Sequence, residues 1–454
     1  MSEPRASRRH PAVLDRILSP FAVLRPGEGK DALLLTLAIF LLLTAYYILK
    51  VVREPLILSA GGAELKSYTS AAQAVLLLFL IPAYGAIANR VNRIKLISIV
   101  TVFYISNLFV FYAMAIANTP YLGVAYFIWV GIFNLMIIAQ FWSFANDVYT
   151  PEEGKRLFAI VGFGQTLGAT CGGLLSKLLI GRLRVHELLI LPAALLLGYL
   201  LVIRIVHHRD RGESRQSAVK AEQPMQDRRG GFTLVARDRY LLLIAILLLV
   251  LNFVNTNGEY ILGRVVTGEA HRLADAGATN GMAADDFVKQ FIGKFYADYF
   301  TWVSVLTAFI QIFLVSRIMT RFGVRAALYV LPIVAFGAYG IIAFVPILAL
   351  IRVSKIGENS LDYSLNNTAR QALFLPTSRE AKYKAKAAID TIFVRAGDLS
   401  SAGLVFVGSL LAMQPRDFAF VNMALVLVWL LIVVGIGRRH RKLVEINNDV
   451  SPQS

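Results

Sequence analysis

The chain has 454 residues, 57% of them hydrophobic and only 17% charged, with a formal net charge of +17 and a mean hydropathy of +0.61. Soluble domains run near half apolar and a quarter charged, so an ordinary cytosolic enzyme is excluded. The basic excess does not indicate nucleic acid. Lys and Arg sit mainly in short connections between apolar stretches, the distribution that orients membrane helices.

In chain order, residues 1–31 read as a basic tail without a small-residue cleavage site. Within it, Val13, Leu14, Ile17, Leu18 and Phe21 have the spacing of a short helix lying on the bilayer surface. Hydropathy then predicts spans near 32–58, 67–89, 94–117, 121–146, 156–180, 185–206, 240–263, 293–316, 324–344, 346–373, 384–412 and 417–437. The expectation is an all-α polytopic membrane protein of twelve transmembrane helices. A polar linker, 207–239, carrying His207-His208-Arg209-Asp210-Arg211, separates two six-helix halves, 32–206 and 240–437, and a tail follows at 438–454. The tenth span holds Arg352, Lys355, Glu358 and Asp362, too polar for hydropathy alone; without it the Arg438-Arg439-His440-Arg441-Lys442 tail would fall on the wrong side. The positive-inside rule places both termini and the linker in the cytoplasm, across a membrane expected to be the bacterial cytoplasmic (inner) one.

Two connections echo each other: Gly85-Ala-Ile-Ala-Asn89-Arg90-Val-Asn-Arg93-Ile-Lys95 and Ser316-Arg317-Ile-Met-Thr-Arg321-Phe-Gly323-Val-Arg325. Both resemble the short basic loop of the major facilitator superfamily, although Asn89 stands where that family has Asp. The resemblance implies a major-facilitator-like fold whose halves are parallel repeats around a midplane site, with the first, fourth, seventh and tenth helices lining a cavity.

Polar side chains inside a bilayer are costly unless they face protein or water, so their helical positions indicate where a cavity lies. At about 100° per residue, Tyr46, Lys50, Arg53 and Glu54 form one stripe on span one. Asn252, Asn255, Thr256 and Glu259 share a face on span seven, and Gln140, Ser143 and Asp147 align on span four. On span ten, Arg352, Lys355, Asn359, Asp362, Asn366 and Arg370 stay within a wedge of about 80°. These charges either pair among themselves, as Lys50 with Glu54 at i, i+4 would, or bind an anion, for which Arg and Lys are suited. Gly164, Gly168 and Gly172 on span five read as a close helix–helix contact. The run Gly168-Ala-Thr-Cys-Gly172-Gly173 also loosely resembles the facilitators' antiporter motif, without its Pro.

Several chemistries are excluded. There is no Gly-x-x-x-x-Gly-Lys-Ser/Thr loop, and Gly162-Phe-Gly164 lacks the third glycine of a dinucleotide fingerprint. The six His fall in tails, loops or helix ends, and Cys171 stands alone, so no metal site or cofactor is expected. No nucleophile and base pair is recognisable, which leaves a membrane enzyme on lipid-linked phosphates as the remote alternative.

Three stretches resemble the nucleotide transporter family of plastids and intracellular bacteria, the ATP/ADP translocase type. Tyr46-Tyr47-Ile48-Leu49-Lys50-Val51-Val52-Arg53-Glu54 is similar to that family's Asn-Tyr-Thr-Ile-Leu-Arg-Asp-Thr-Lys-Asp. Phe141-Trp142-Ser143-Phe144-Ala145-Asn146 is similar to Phe-Trp-Gly-Phe-Ala-Asn. Asp362-Tyr363-Ser364-Leu365, Leu375-Pro376 and Lys382-Tyr383-Lys384-Ala385-Lys386-Ala387-Ala388-Ile389-Asp390 are similar to Lys-Tyr-Ser-Leu, Ile-Pro and Lys-Val-Lys-Gly-Lys-Ala-Ala-Ile-Asp. The departures concern charge: Arg53 stands for Lys, Val130 and Asn255 for Glu, and Asp398, after Arg395-x-Gly397, for Lys.

The resemblance implies an antiporter of nucleotides or a related phosphorylated organic anion; a monomer without a cofactor is expected. The substrate-binding residues expected are Lys50, Arg53, Arg352, Lys355, Asn359, Arg370, Asn255 and Gln140. Glu54, Glu259, Asp362, Arg395 and Asp398 are expected to couple or gate. The alternative is a proton-coupled carrier of another small organic solute in which Glu54 or Glu259 titrates. The orientation is checked by single cysteines in a Cys171→Ser background: an impermeant thiol reagent outside intact cells should modify a cysteine at 278 and spare one at 220, and the reverse pattern inverts the topology.

Overall fold

The structure, a computed structural model, describes residues 28–88, 93–149, 151–210, 231–279, 281–345, 347–378 and 381–450. The predicted surface helix around Val13–Phe21, the middle of the linker, the Asn89–Asn92 turn of the first basic loop and the last four residues lie outside them. Every regular element among the described residues is helical. The long helices are α1 Glu28–Ala88, α2 Arg93–Ile116, α3 Leu122–Val148, α4 Pro151–Leu179, α5 Ile190–Asp210, α6 Arg239–Asp275, α7 Ala284–Ile310, α8 Ser316–Phe344, α9 Leu348–Leu361, α10 Val394–Leu410 and α11 Pro415–Val450.

The expectation of twelve membrane helices in two six-helix halves is not met. Eight helical segments among the described residues are long and apolar enough to cross a membrane. Predicted spans one and two run on as one segment, Gly29–Ile81, and spans eight and nine as another, Ala284–Phe344. α1 bends at Gly61 and Gly62, where Gly62 takes φ 68°, and α8 at Gly323, φ 78°. These are backbone conformations that glycine adopts without a Cβ clash. Span five is diluted by Gln165, Thr166, Thr170 and five glycines, at 162, 164, 168, 172 and 173. Span ten breaks after α9, whose 14 residues include Arg352, Lys355 and Glu358, into a π-turn over Asp362–Asn366. What stands is an all-α, multi-pass membrane protein. Its outer faces carry large apolar side chains suited to lipid, among them Phe79, Leu201 and Leu431.

The chain forms two compact units. Among the described residues, the first takes α1 up to Val52, then 85–119 and 129–210; the second takes 53–84, 120–128 and everything from 231 onward. In the first unit an aromatic cluster fills the core, with Tyr104 set 4.9 Å from Phe133 and 5.3 Å from Trp129 between ring centroids. The glycine stripe of α4 packs on α1 in matched register. A Cβ at Gly164 would meet the Thr36 carbonyl oxygen at 2.6 Å, one at Gly172 the Thr44 carbonyl oxygen at 2.6 Å, and one at Gly168 would strike the Phe40 carbonyl. In the second unit Gly397 brings α10 equally close to α6, where a Cβ would lie 2.7 Å from the Leu249 carbonyl oxygen. Backbone approaches of this kind are how helices associate where water supplies no driving force.

Gly168→Leu forces α4 off α1 and should destabilise the fold by about 3 kcal/mol or more, lowering the melting temperature in detergent by several degrees. Gly162→Leu, at a position with nothing within 4 Å of an added Cβ, should leave it unchanged.

Candidate functional site

The second unit encloses an unusual density of charge. Glu54 has no exposed surface. Its Oε1 accepts from Arg53 Nε at 3.0 Å and Nη2 at 2.5 Å, and its Oε2 faces Lys66 Nζ at 2.7 Å. Lys66 also reaches Glu259 on α6, 3.8 Å away. Glu259 accepts from Asn359 Nδ2 of α9 at 3.1 Å and from the Tyr299 hydroxyl of α7 at 3.4 Å, and Asn359 donates as well to that hydroxyl at 2.6 Å. Arg53 lies over the Phe127 ring at 4.5 Å, and Lys66 over Tyr296 at 5.4 Å. The kinked part of α1 is thereby tied to α6, and through Glu259 to α7 and α9, by buried and half-buried charges.

Three further groups lie in the same unit. Lys355, fully buried, donates to Glu358 at 3.0 Å. The Tyr339 hydroxyl sits 3.1 Å from Glu358 and 3.0 Å from the Val254 carbonyl oxygen. Asn422 donates to that carbonyl at 3.2 Å and accepts from Asn257 at 2.7 Å. Gly258 makes room for the cluster: a Cβ there would lie 2.7 Å from the Lys355 ammonium. Asp398 gathers Arg395 at 2.9 Å, Asn252 at 3.0 Å and Thr256 at 2.8 Å, joining α10 to α6. Arg352 pairs with Asp298 of α7 and lies 5.7 Å above the Phe295 ring.

Of the residues expected at a site, Arg53, Glu54, Glu259 and Asn359 come together in one network. Arg352, Lys355, Arg395 and Asp398 fall in the neighbouring pairs. Asp362 accepts from Asn366 at 2.7 Å within the π-turn. Asn255 and Arg370 are half-buried. Lys50 and Gln140 belong to the first unit: the Lys50 ammonium lies 5.4 Å over the Tyr47 ring, and neither amide atom of buried Gln140 has a hydrogen-bond partner among the described residues. Lys66, Asp298, Tyr299 and Tyr339 escaped the sequence reading, and Glu358 was passed over. Lys66 hides in the short connection after the Gly61-Gly62 bend, where a lone cation looks solvated. Asp298 carried a usable signal, as an isolated acid inside an apolar stretch. Among the described residues, no group of three or more His, Cys, Asp or Glu is placed to hold a metal ion.

A multi-pass helical chain whose interior polar groups are charge pairs and amides, turned away from lipid, has the build of a membrane carrier. Residues 35–353 match the model of the Major Facilitator Superfamily, and the chain belongs to that superfamily. Residues 340–440 match the family described as TLC ATP/ADP transporter. The chain is 23% identical over 341 residues to ADP,ATP carrier protein 1 of Chlamydia pneumoniae, covering 65% of this chain and 63% of that one. It is 24% identical over 320 residues to ADP,ATP carrier protein 4 of Rickettsia felis, covering 60% and 58%. The chain thus spans less than two thirds of the length of these relatives. Among solved structures, the nucleoside transporter NupG superposes with a TM-score of 0.63 at 12% identity, over 90% of this chain and 99% of that one. A bacterial homologue of the lysosomal transporter Spinster, inward-facing and unoccupied, gives 0.59 at 14%, over 92% and 99%. At such identities these structures speak to the fold alone.

Breaking a buried pair is far more costly than removing it whole. Glu358→Leu, which strands the Lys355 ammonium, should destabilise the protein by about 3–5 kcal/mol. The double change Lys355→Leu with Glu358→Leu should recover most of that loss in a thermal melt.

Proposed function

We propose that the chain is an alternating-access carrier of a phosphorylated organic anion of the nucleotide kind, working as an antiporter of the ATP/ADP type. The observation that carries this reading is the set of buried and half-buried cations inside a facilitator-type fold, each paired with a carboxylate. A polyanion is tolerable in a low-dielectric interior only where fixed cations replace its water and counterions. The match of residues 340–440 to the ATP/ADP transporter family and the relatives named ADP,ATP carrier support the same substrate class.

In this reading Lys50, Arg53, Arg352, Lys355 and Arg370 take the anionic groups, and Asn255, Asn359 and Gln140 the uncharged polar ones. Glu54, Glu259, Asp362, Arg395 and Asp398 gate or couple. The carboxylates act as stand-ins: Glu54 holds Arg53, and Asp298 holds Arg352, until an anion takes their place. Lys355 is enclosed with Glu358 and is reached only when that pair opens. The carrier works as a monomer in a bacterial cytoplasmic membrane, with both termini and the 207–239 linker in the cytoplasm.

A second reading, proton coupling through Glu259, is favoured by that residue's looser ion pair, 3.8 Å from Lys66, and its 24% exposed side chain. The test is uptake of labelled ATP, ADP and adenosine into proteoliposomes, with and without internal ADP and with an imposed proton gradient. ATP uptake should rise with internal ADP, and Arg53→Gln should weaken it by about 2 kcal/mol, roughly thirtyfold, because an anion's charged partner is lost while Lys66 still holds Glu54. Uptake that ignores internal nucleotide, needs the proton gradient and survives Arg53→Gln overturns antiport in favour of proton coupling.

A further inference from the structure

Five interior cations of the second unit already have a carboxylate of the chain's own. Arg53 and Lys66 share Glu54, Lys66 also reaches Glu259, Arg352 has Asp298, Lys355 has Glu358 and Arg395 has Asp398. Two cations thus meet two carboxylates in the network that fastens the kinked part of α1 to α6, and Glu64 with Arg264, 3.8 Å apart, adds another matched pair between them. Both cations also rest on aromatic faces, Arg53 on Phe127 and Lys66 on Tyr296, which stabilises them without any ligand.

This balance bears on what the carrier can do empty. In a low-dielectric interior an unmatched charge is far costlier than a matched pair. Were the cluster in surplus of cations, α1 could close on α6 only around a bound anion, and transport would be restricted to one-for-one exchange. Glu54 and Glu259 remove that requirement.

We infer that the carrier closes this end without cargo, and so performs net transport of its anion in addition to exchange. The inference rests on the reading of the chain as an anion carrier, and deepens it. It also assigns Glu54 and Glu259 a role distinct from proton binding: they are the substitute cargo of the empty form.

The experiment compares labelled ATP entering vesicles preloaded with ADP against vesicles holding none, with the membrane potential clamped by potassium and valinomycin and no proton gradient. The wild-type carrier should fill empty vesicles at no less than about a tenth of its exchange rate. Glu54→Gln leaves Arg53 and Lys66 with Glu259 alone, so the empty form gains one unmatched positive charge while the loaded form has its anion. The ratio of net filling to exchange should fall at least tenfold, and the exchange that remains reports a folded carrier. If Glu54→Gln exchanges nothing, Glu259→Gln, which removes the looser contact, is read in the same way.

Exchange without net filling in the wild type overturns the inference and leaves the proposed function standing. Equal slowing of both rates in the variants overturns it too, as does loss of exchange in both. Absence of any ATP exchange in the wild type sinks the nucleotide reading, and the inference with it.

Discussion

Glu54 is a carboxylate without exposed surface, clasped between a guanidinium and an ammonium inside a helical bundle. The surrounding arrangement follows from the cost of leaving it alone there. Arg53 comes from the preceding position, but Lys66 has to be brought back from beyond the Gly61-Gly62 bend. Glu259 then answers Lys66 from α6, and Asn359 and Tyr299 orient Glu259 from α9 and α7. One buried charge thus recruits partners from four helices. The Lys355–Glu358 and Arg395–Asp398 groups repeat the arrangement on a smaller scale.

How much of this was legible depends on whether a feature is local in the chain. The glycine stripe of α4 was readable because small residues at a spacing of four have one main use in a membrane, and it meets Thr36, Phe40 and Thr44 in register. Periodicity put Arg53 with Glu54 on one face, and Asn252, Thr256 and Glu259 on another, since a regular helix preserves phase over two turns. Beyond α9 the π-turn at Asp362–Asn366 rotates less per residue than an α-helix, so a wedge drawn at helical pitch from Arg352 to Arg370 does not carry its phase through it. Span counting failed for a related reason: hydropathy sees the polar break after Ser59, where Gly61 and Gly62 leave helical φ/ψ and the chain kinks within one long apolar segment. The pairing of Lys66 with Glu54 crosses the kink of α1 and that of Arg352 with Asp298 joins α9 to α7, and no spacing rule encodes such contacts.

The positions where this chain departs from the translocase motifs have concrete surroundings. Val130 is fully buried, so an acid there would sit among packed side chains. Asp398, an acid where the motif has a base, is held by Arg395, Asn252 and Thr256. Charge is thus matched locally at 398 and absent at 130. Changes that look like erosion of a motif in alignment are accommodated in three dimensions.

Gly258 has a consequence for inheritance rather than for mechanism. The Lys355 ammonium occupies the volume a side chain at 258 would need, so the two positions, far apart in the chain, constrain each other. A lineage that gained even alanine at 258 would have to displace the Lys355 ammonium and the Tyr339 hydroxyl, and so loosen the contacts that hold Glu358. Three residues on two helices are therefore expected to persist or disappear as a set, with Tyr339, whose hydroxyl presses on the same spot, as the fourth member.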